Sequence, residues 1–244
     1  MIAGIVAGGR PVAASPPAGN DPYWSNVGLY MRFNGVDGAT LFTDEKGSAI
    51  TSNGSAAISA SDGFGGACGN LTAGSYLSGG VIPAIGGMVQ GSAWSVEVRA
   101  KVTWAGDRNA GLFSYSPLGG SDDFRFYLQR YASSTYIYIV EEGSATAWYG
   151  TYTHVDGQFM TFQASSDGTT VRVFVDGSEV SLSAFDYSSR SSYWTGLLVG
   201  TIGDMSDHLT TNSLDGHIDE LRVTKGYARN TAPYTPAIVQ FPNY

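Results

Sequence analysis

The sequence is short of charge, of cysteine and of long apolar runs, and each shortage excludes a class of protein. Charged residues make up 14% of the 244 positions, and 13 Lys and Arg stand against 21 Asp and Glu. This balance argues against a nucleic-acid partner, because phosphate binding needs clustered basic side chains. The single cysteine, Cys68, excludes an intrachain disulfide framework and a cysteine-based zinc site. No apolar run approaches the roughly 18 residues of a membrane-spanning helix, so we expect no membrane partner.

Glutamate is scarce as well, whereas glycine and aspartate are abundant, and this composition favours turns over helices. There are 33 Gly and 15 Asp but 6 Glu. Segments with strand periodicity recur between the turns: Ser95–Trp104 alternates apolar and polar residues, and Val171–Val175 leads into the hairpin signal Asp176-Gly177. The spacing predicts an all-β protein with little helix, a two-sheet antiparallel β-sandwich or jelly roll.

Composition divides the chain into three parts. Residues 1–22 are rich in Ala, Gly and Pro, residues 23–230 form one domain without an internal break, and residues 231–244 are a Pro-rich tail that we expect to pack on the domain. The first part lacks the basic start and longer apolar run of a signal peptide. It is either a flexible tail or expression remnant, or an extended arm that docks on a neighbouring protein.

Several ordered motifs identify a family resemblance. They are DPYWSNVGLYMRFNGVDG (Asp21–Gly38), FGGA (Phe64–Ala67), VRVFVDG (Val171–Gly177) and LDGHIDELRVTKGYAR (Leu214–Arg229). In this order they resemble the concanavalin A-like lectin/glucanase superfamily, in the laminin-G-like form found in bacteriophage virion proteins. The resemblance implies a concanavalin A-like jelly roll. Because such folds carry lectins, glucanases and purely structural modules, it leaves the function open.

The acidic residues do not show the pattern that a glucanase needs. A retaining pair must face one cleft about 5 Å apart, and carboxylates at alternate positions of one strand supply that geometry. Glu141-Glu142 and Asp219-Glu220 are instead adjacent pairs. The three histidines, His154, His208 and His217, show no metal-ligand spacing, and we expect them at the surface or in loops. The sequence therefore predicts no catalytic residues and a protein that is not an enzyme.

Asp219 is the candidate metal ligand. Strict alternation in HIDELRV places it on the same face as Leu221 and Val223, where a carboxylate needs a cation or several hydrogen-bond donors. The resemblance also implies a structural Ca²⁺ at the Asp of this last strand, with carbonyl oxygens from the turns Asn34-Gly35 and Gly65-Gly66. The alternative is that Asp219 accepts backbone N–H groups or pairs with an arginine.

Aromatic side chains in loops are the candidates for carbohydrate binding, because sugars stack their apolar faces on aromatic rings. The candidates are Trp104, Trp148, Tyr149, Tyr193 and Trp194. The alternative for each is packing over the edge of the sandwich.

These observations predict a non-enzymatic virion protein, either a structural or decoration component or a tail-associated one. Its lectin-like domain would bind host-surface polysaccharide, and residues 1–22 would attach it to other virion proteins or to its own copies. Two alternatives stay open: a glycan-degrading enzyme of the glucanase type, and an assembly protein without a ligand.

Overall fold

Two antiparallel sheets pack face to face and confirm the predicted all-β sandwich. The computed structural model describes residues 21–61, 63–79, 88, 90–115, 124–141, 144, 146–186, 201–204 and 212–242. Within this part the helical structure is a single 3-10 turn, Trp24–Asn26. Residues 1–20 of the predicted arm lie outside the described residues. No helix in the described ranges is long and apolar enough to cross a membrane.

The described residues contain seventeen strands. In chain order they are β1 (Val27–Met31), β2 (Phe42–Thr43), β3 (Ala49–Asn53), β4 (Ala57–Ser59), β5 (Cys68–Leu71), β6 (Tyr76–Gly79), β7 (Ala93–Val102), β8 (Arg108–Tyr115), β9 (Phe124–Tyr131), β10 (Ser134–Val140), β11 (Thr146–Tyr152), β12 (Met160–Asp167), β13 (Val171–Val175), β14 (Ser178–Val180), β15 (Ser183–Asp186), β16 (Thr201–Ile202) and β17 (Gly216–Lys225). One sheet has the order β14-β13-β12-β7-β17-β5-β4, with β1 also paired to β17. The other has the order β15-β11-β10-β9-β8-β16-β6-β3-β2.

The core lies between the sheets and follows the alternation of the sequence. On β7, Val96, Val98, Ala100 and Val102 are buried in the core, as the pattern of Ser95–Trp104 predicts. The hairpin at Asp176-Gly177 is also confirmed: both residues have positive φ, 47° and 75°, as a two-residue hairpin requires. Gly177 has a second constraint, because a Cβ there would lie 1.8 Å from the Tyr234 carbonyl oxygen. The C-terminal segment therefore packs directly on this turn.

A β-bulge in β17 reverses the predicted orientation of Asp219. The register with β7 shifts between Asp219 and Arg222, and Glu220 has a φ of 54°. Ile218 and Val223 consequently both enter the core, although five positions separate them. Asp219 is paired with Arg99 on the outer face of the eight-stranded sheet. The prediction that Asp219 shares a face with Leu221 and Val223 was wrong, because a bulge breaks the period of two.

Buried charges cover the outer face of the eight-stranded sheet. The Arg222 guanidinium donates to Glu97 Oε2 at 2.8 Å and to Asp21 Oδ2 at 3.2 Å. Arg229 donates to the same Asp21 carboxylate at 3.0 and 2.6 Å. The C-terminal segment lies over this network, and the Phe241 ring sits 4.2 Å from the Arg222 guanidinium. The motif that carries the family resemblance therefore holds both ends of the described chain on this sheet.

Candidate functional site

A row of tyrosines crosses the outer face of the nine-stranded sheet. Tyr127 on β9, Tyr138 on β10 and Tyr149 on β11 are direct cross-strand partners. Their rings stack: the centroids of Tyr127 and Tyr138 are 4.8 Å apart with planes 3° from parallel, and those of Tyr138 and Tyr149 are 5.6 Å apart. The neighbouring residues Phe126 and Ile139 point into the core, so the tyrosines point away from it. We name Tyr127, Tyr138 and Tyr149 the tyrosine ladder.

Two further aromatic side chains extend the ladder. Tyr136 lies 6.3 Å from Tyr149 and is tilted by 53°, and Phe185 on β15 meets Tyr149 edge-on at 5.8 Å. Neighbouring strands are about 4.8 Å apart, which is close to the distances between the ladder rings. The rings therefore stack face to face along the row, and their edges point outward from the sheet. Tyr127 is 7% exposed, whereas the other four aromatic residues are half-buried. The face therefore offers an apolar stripe bordered by phenolic hydroxyls.

Side-chain amides continue this surface toward β8. The Tyr138 hydroxyl donates to Gln129 Oε1 at 3.0 Å, Gln129 Nε2 donates to Asn109 Oδ1 at 2.9 Å, and Asn109 Nδ2 donates to Asn212 Oδ1 at 2.9 Å. This chain fixes the amide orientations beside the ladder. Amides and phenols can both donate and accept hydrogen bonds, so the surface can bind a ligand rich in hydroxyl groups.

The aromatic candidates from the sequence do not share one surface. Tyr149 belongs to the ladder, but Trp148 is on the opposite side of β11 and packs against the core. Trp104 also packs against the core, at one end of the sandwich, edge-to-face with His154 at 5.7 Å. Tyr193 and Trp194 lie outside the described residues.

Sequence reasoning did not identify Tyr127, Tyr136 and Tyr138 as residues of one outer face. A signal was present: in Phe124–Gln129, Tyr127 falls on the polar side of the alternation, with Arg125 and Gln129. The same alternation places Tyr136 and Tyr138 opposite Ile137 and Ile139 on β10. Only the strand register, however, shows that these rings meet Tyr149.

Asp219 and Glu220 lie on the opposite outer face of the sandwich, beneath the C-terminal segment. Asp219 Oδ2 accepts the Phe64 N–H at 2.8 Å and lies 3.4 Å from Arg99 Nη1. Glu220 Oε2 accepts the Tyr30 hydroxyl at 2.7 Å and the Phe241 N–H at 2.8 Å. Burial raises the pKa of Asp219 to about 6, and burial together with the Asp219 charge raises the pKa of Glu220 to about 7.

The surroundings of Asp219 provide some of the oxygen ligands that calcium prefers. Its Oδ1 atom is buried and has no hydrogen-bond partner among the described residues. Asn34 and Gly65, from the two turns proposed as ligand sources, lie against each other: a Cβ on Gly65 would be 2.1 Å from Asn34 Oδ1. The described ranges contain no group of three or more His, Cys, Asp and Glu side chains that could hold a metal. A cation here would therefore depend on Asp219 and on neutral oxygens.

Comparison with known families decides the classification of this sandwich. The family model for laminin G-type domains of the concanavalin A-like lectin/glucanases superfamily matches residues 74–232. The chain belongs to this superfamily. Membership agrees with the resemblance of the sequence motifs and with the two-sheet fold. No curated protein matches the sequence.

Several solved structures have a similar fold. Domain 4 of AbnA, a GH43 extracellular arabinanase from Geobacillus stearothermophilus in complex with arabinotriose, has a TM-score of 0.50 at 17% identity, over 83% of this chain and 94% of that one. Trypanosoma rangeli sialidase in complex with sialic acid has a TM-score of 0.54 at 9% identity, over 84% of this chain and 31% of the sialidase. The enzymatically active domain of bacteriophage CBA120 tailspike protein 2 has a TM-score of 0.51 at 10% identity, over 80% and 30%.

These likenesses concern the fold alone, because every identity is below one fifth. The chain spans nearly all of the arabinanase domain but less than a third of the sialidase and of the tailspike chain.

Proposed function

We propose that the chain is a non-enzymatic, lectin-like component of a bacteriophage virion, and that its tyrosine ladder binds host-surface polysaccharide. The observation that carries the proposal is the stacked row Tyr127, Tyr138 and Tyr149 on the outer face of a sheet. Tyr138 and Tyr149 are half-buried, and adjacent aromatic side chains that stay partly exposed on one face are typical of an interaction surface. Tyrosine suits such a surface, since its ring is apolar and its hydroxyl reaches water.

The contact chemistry matches a polysaccharide better than an apolar ligand. The outward edges of the half-buried rings can contact the C–H groups of a sugar, while the phenols and the amides of Gln129 and Asn109 can bind its hydroxyls. A sheet face is open along its length, so it accommodates an extended chain. A closed pocket would instead suit a small ligand.

The proposal of a non-enzymatic role rests on where the buried carboxylates lie. Asp219 and Glu220, whose pKa values are raised as a general acid requires, belong to the eight-stranded sheet, and the ladder lies on the other outer face of the sandwich. Glu141, whose pKa is also raised, is buried against the core residue Trp94. Glycoside hydrolysis needs both carboxylates within reach of one glycosidic bond. A glycan-degrading activity remains the alternative, and detection of shortened products would favour it.

A glycan panel tests the proposal. Labelled protein should bind at least one bacterial surface polysaccharide saturably and leave its length unchanged after prolonged incubation. Tyr138→Ala and Tyr149→Ala should weaken binding by at least about tenfold, because each removes a stacking partner and a hydroxyl. Tyr131→Ala is the matched control, since Tyr131 is 63% exposed at the end of β9 and makes no ring contact with the ladder. Equal binding by all variants would reject the ladder as the site.

The virion setting is supported by the motif resemblance to phage proteins and by the shared fold with a phage tailspike domain. In this proposal residues 1–22 attach the domain to other virion proteins or to its own copies. Deleting residues 1–20 should then abolish assembly but preserve glycan binding. An assembly protein without a ligand would bind no polysaccharide in either form.

We also propose that Asp219 holds a structural Ca²⁺. Two observations support this assignment: the buried Oδ1 atom has no hydrogen-bond partner among the described residues, and the turn that contacts Asp219 through Phe64 also lies against Asn34 through Gly65. Bound calcium would neutralise the Asp219 charge and tie β17 to the turn at residues 63–66, which already donates the Phe64 N–H to Asp219.

A further inference from the structure

A polar cleft opens at one end of the sandwich, separate from the tyrosine ladder. It has a volume of about 590 Å³ and is lined by the ends of β9, β10 and β11 and by the loop that follows β11. Arg130, Thr135 and Tyr152 lie on the same sides of their strands as Leu128 and Ile137, which are in the core, and Trp148, which packs against it. The cleft therefore lies at the mouth of the space between the sheets, and its size falls in the range of small-molecule sites.

Buried polar groups without partners surround this cleft. Tyr152 lines the cleft, and its buried hydroxyl finds no hydrogen-bond partner within the described ranges; neither does the buried Trp104 Nε1. Both rings pack edge-to-face against the His154 imidazole, at 6.2 and 5.7 Å. Leaving a buried polar group unpaired costs about 1–3 kcal/mol. A ligand that hydrogen-bonds to the Tyr152 hydroxyl would offset part of this cost.

His154 is a buried part of the cleft wall. It lies in a loop, which is one of the two expected places, but its side chain is only 6% exposed. Its Nε2 atom lies 3.3 Å from Asp156 Oδ1. Burial lowers the pKa of His154, and the nearby Arg130 charge lowers it further, whereas Asp156 raises it. The imidazole is consequently neutral at pH 7 and can donate one hydrogen bond and accept another.

Arg130 supplies a positive charge that no described carboxylate neutralises. It makes no ion pair or side-chain hydrogen bond with the described residues, although it lines the cleft. The Asp156 carboxylate lies beside the His154 imidazole rather than the guanidinium, and its side chain is 78% exposed to solvent. A guanidinium is well suited to bind a carboxylate through two parallel hydrogen bonds. The cleft thus combines one unpaired cation with a ring of hydroxyl groups.

We propose that this cleft binds a single terminal sugar residue that carries a carboxylate group. Arg130 pairs with the carboxylate, and Tyr152 and the neighbouring threonines hydrogen-bond to the sugar hydroxyls. The site is independent of the tyrosine ladder, because it recognises a chain end by its charge and the ladder recognises an extended chain. Variants of either site should therefore leave the other intact.

Calorimetric or NMR titration of the full chain with D-glucuronate and with D-glucose tests this proposal. The two probes share their ring hydroxyls and differ at the carboxylate. Glucuronate should bind at least about tenfold more tightly than glucose, and Arg130→Gln should abolish that preference. Arg172→Gln is the control, since Arg172 lies on the other sheet and pairs with Asp167. A folded protein that binds neither probe, or an Arg130→Gln variant that keeps the preference, would overturn the proposal.

Tyr152→Phe separates binding from a structural role. The hydroxyl has no partner in the described part of the protein, so its removal should leave the melting temperature unchanged or raise it. The same change should weaken glucuronate binding by at least about threefold. Unaltered binding in this variant would mean that the ligand does not contact the hydroxyl, which contradicts its assigned role. Tyr149→Ala should bind glucuronate normally even if it no longer binds polysaccharide, so failure of one site is distinguishable from failure of the other.

Discussion

Single residues in this protein take their roles from the face of the strand on which they lie. Trp148 and Tyr149 are neighbours in sequence, yet Trp148 packs against the core and Tyr149 joins the ladder. Both were candidates for sugar binding on the same grounds, because composition shows an aromatic residue but not its direction. Strand alternation decides between them once the strand and its inner face are known.

Glu141 provides a test of burial at the residue scale. It is 3% exposed and accepts the Trp94 indole N–H at 2.9 Å. Burial raises the pKa of Glu141, and hydrogen bonds from Trp94 and Ser166 oppose the rise only in part. The folded state therefore holds a proton that the unfolded chain releases, so Glu141 lowers the stability as the pH rises from its ordinary pKa through the raised one.

Glu141→Gln should flatten this pH dependence. The amide oxygen can still accept the Trp94 N–H but does not titrate, so the variant should gain stability relative to the wild type as the pH rises from about 4 to about 8. Thermal melts across that range measure the difference. Glu179→Gln serves as control, because Glu179 is exposed on β14. Parallel stability curves for the wild type and Glu141→Gln would show that the pKa of Glu141 is not raised.

At the scale of elements, β17 and the loop after it act as a clamp. Arg222 is 6% exposed at its side chain and contacts two carboxylates, Glu97 and Asp21, that are themselves buried. The network joins β7, β17 and the segment before β1. The part of the sequence with the strongest family signature therefore has a structural role in this protein.

Breaking the clamp should be costly. Arg222→Ala removes the guanidinium that pairs with the buried carboxylates of Glu97 and Asp21. We expect this loss to lower the free energy of unfolding by about 3–5 kcal/mol. Arg172→Ala is the matched change at an exposed ion pair and should cost at most about 1 kcal/mol. Urea unfolding of both variants measures the two costs, and similar values would contradict the clamp.

The strands were predictable from sequence where the period is regular, and not where it is broken. Ser95–Trp104 and Val171–Val175 have the alternation of their strands, β7 and β13. The face of Asp219 was not predictable, because the bulge at Glu220 inserts a residue that alternation does not show. The ladder was not predictable either, since it depends on the register of three strands. The burial of His154 was not predictable either, because it arises from contacts with Trp104, which follows β7, and with Tyr152, which ends β11.

For the whole molecule, calcium bound at Asp219 should raise the stability of the folded sandwich. Bound Ca²⁺ stabilises only the folded state, so the melting temperature should rise with calcium concentration and fall on chelation. Asp219→Asn should remove this response. Asp215→Asn, which changes the residue directly before β17, should retain it. A melting temperature that is the same in calcium and in chelator would exclude the site.

The central claim is that the outer face of the nine-stranded sheet binds polysaccharide. Hydrogen–deuterium exchange of the full chain, with and without a polysaccharide that it binds, tests this claim most directly. We predict slower exchange in β9, β10 and β11, centred on Tyr127, Tyr138 and Tyr149, and no change in β13 or β17. Protection confined to the eight-stranded sheet, or the absence of protection at saturating polysaccharide, would contradict it.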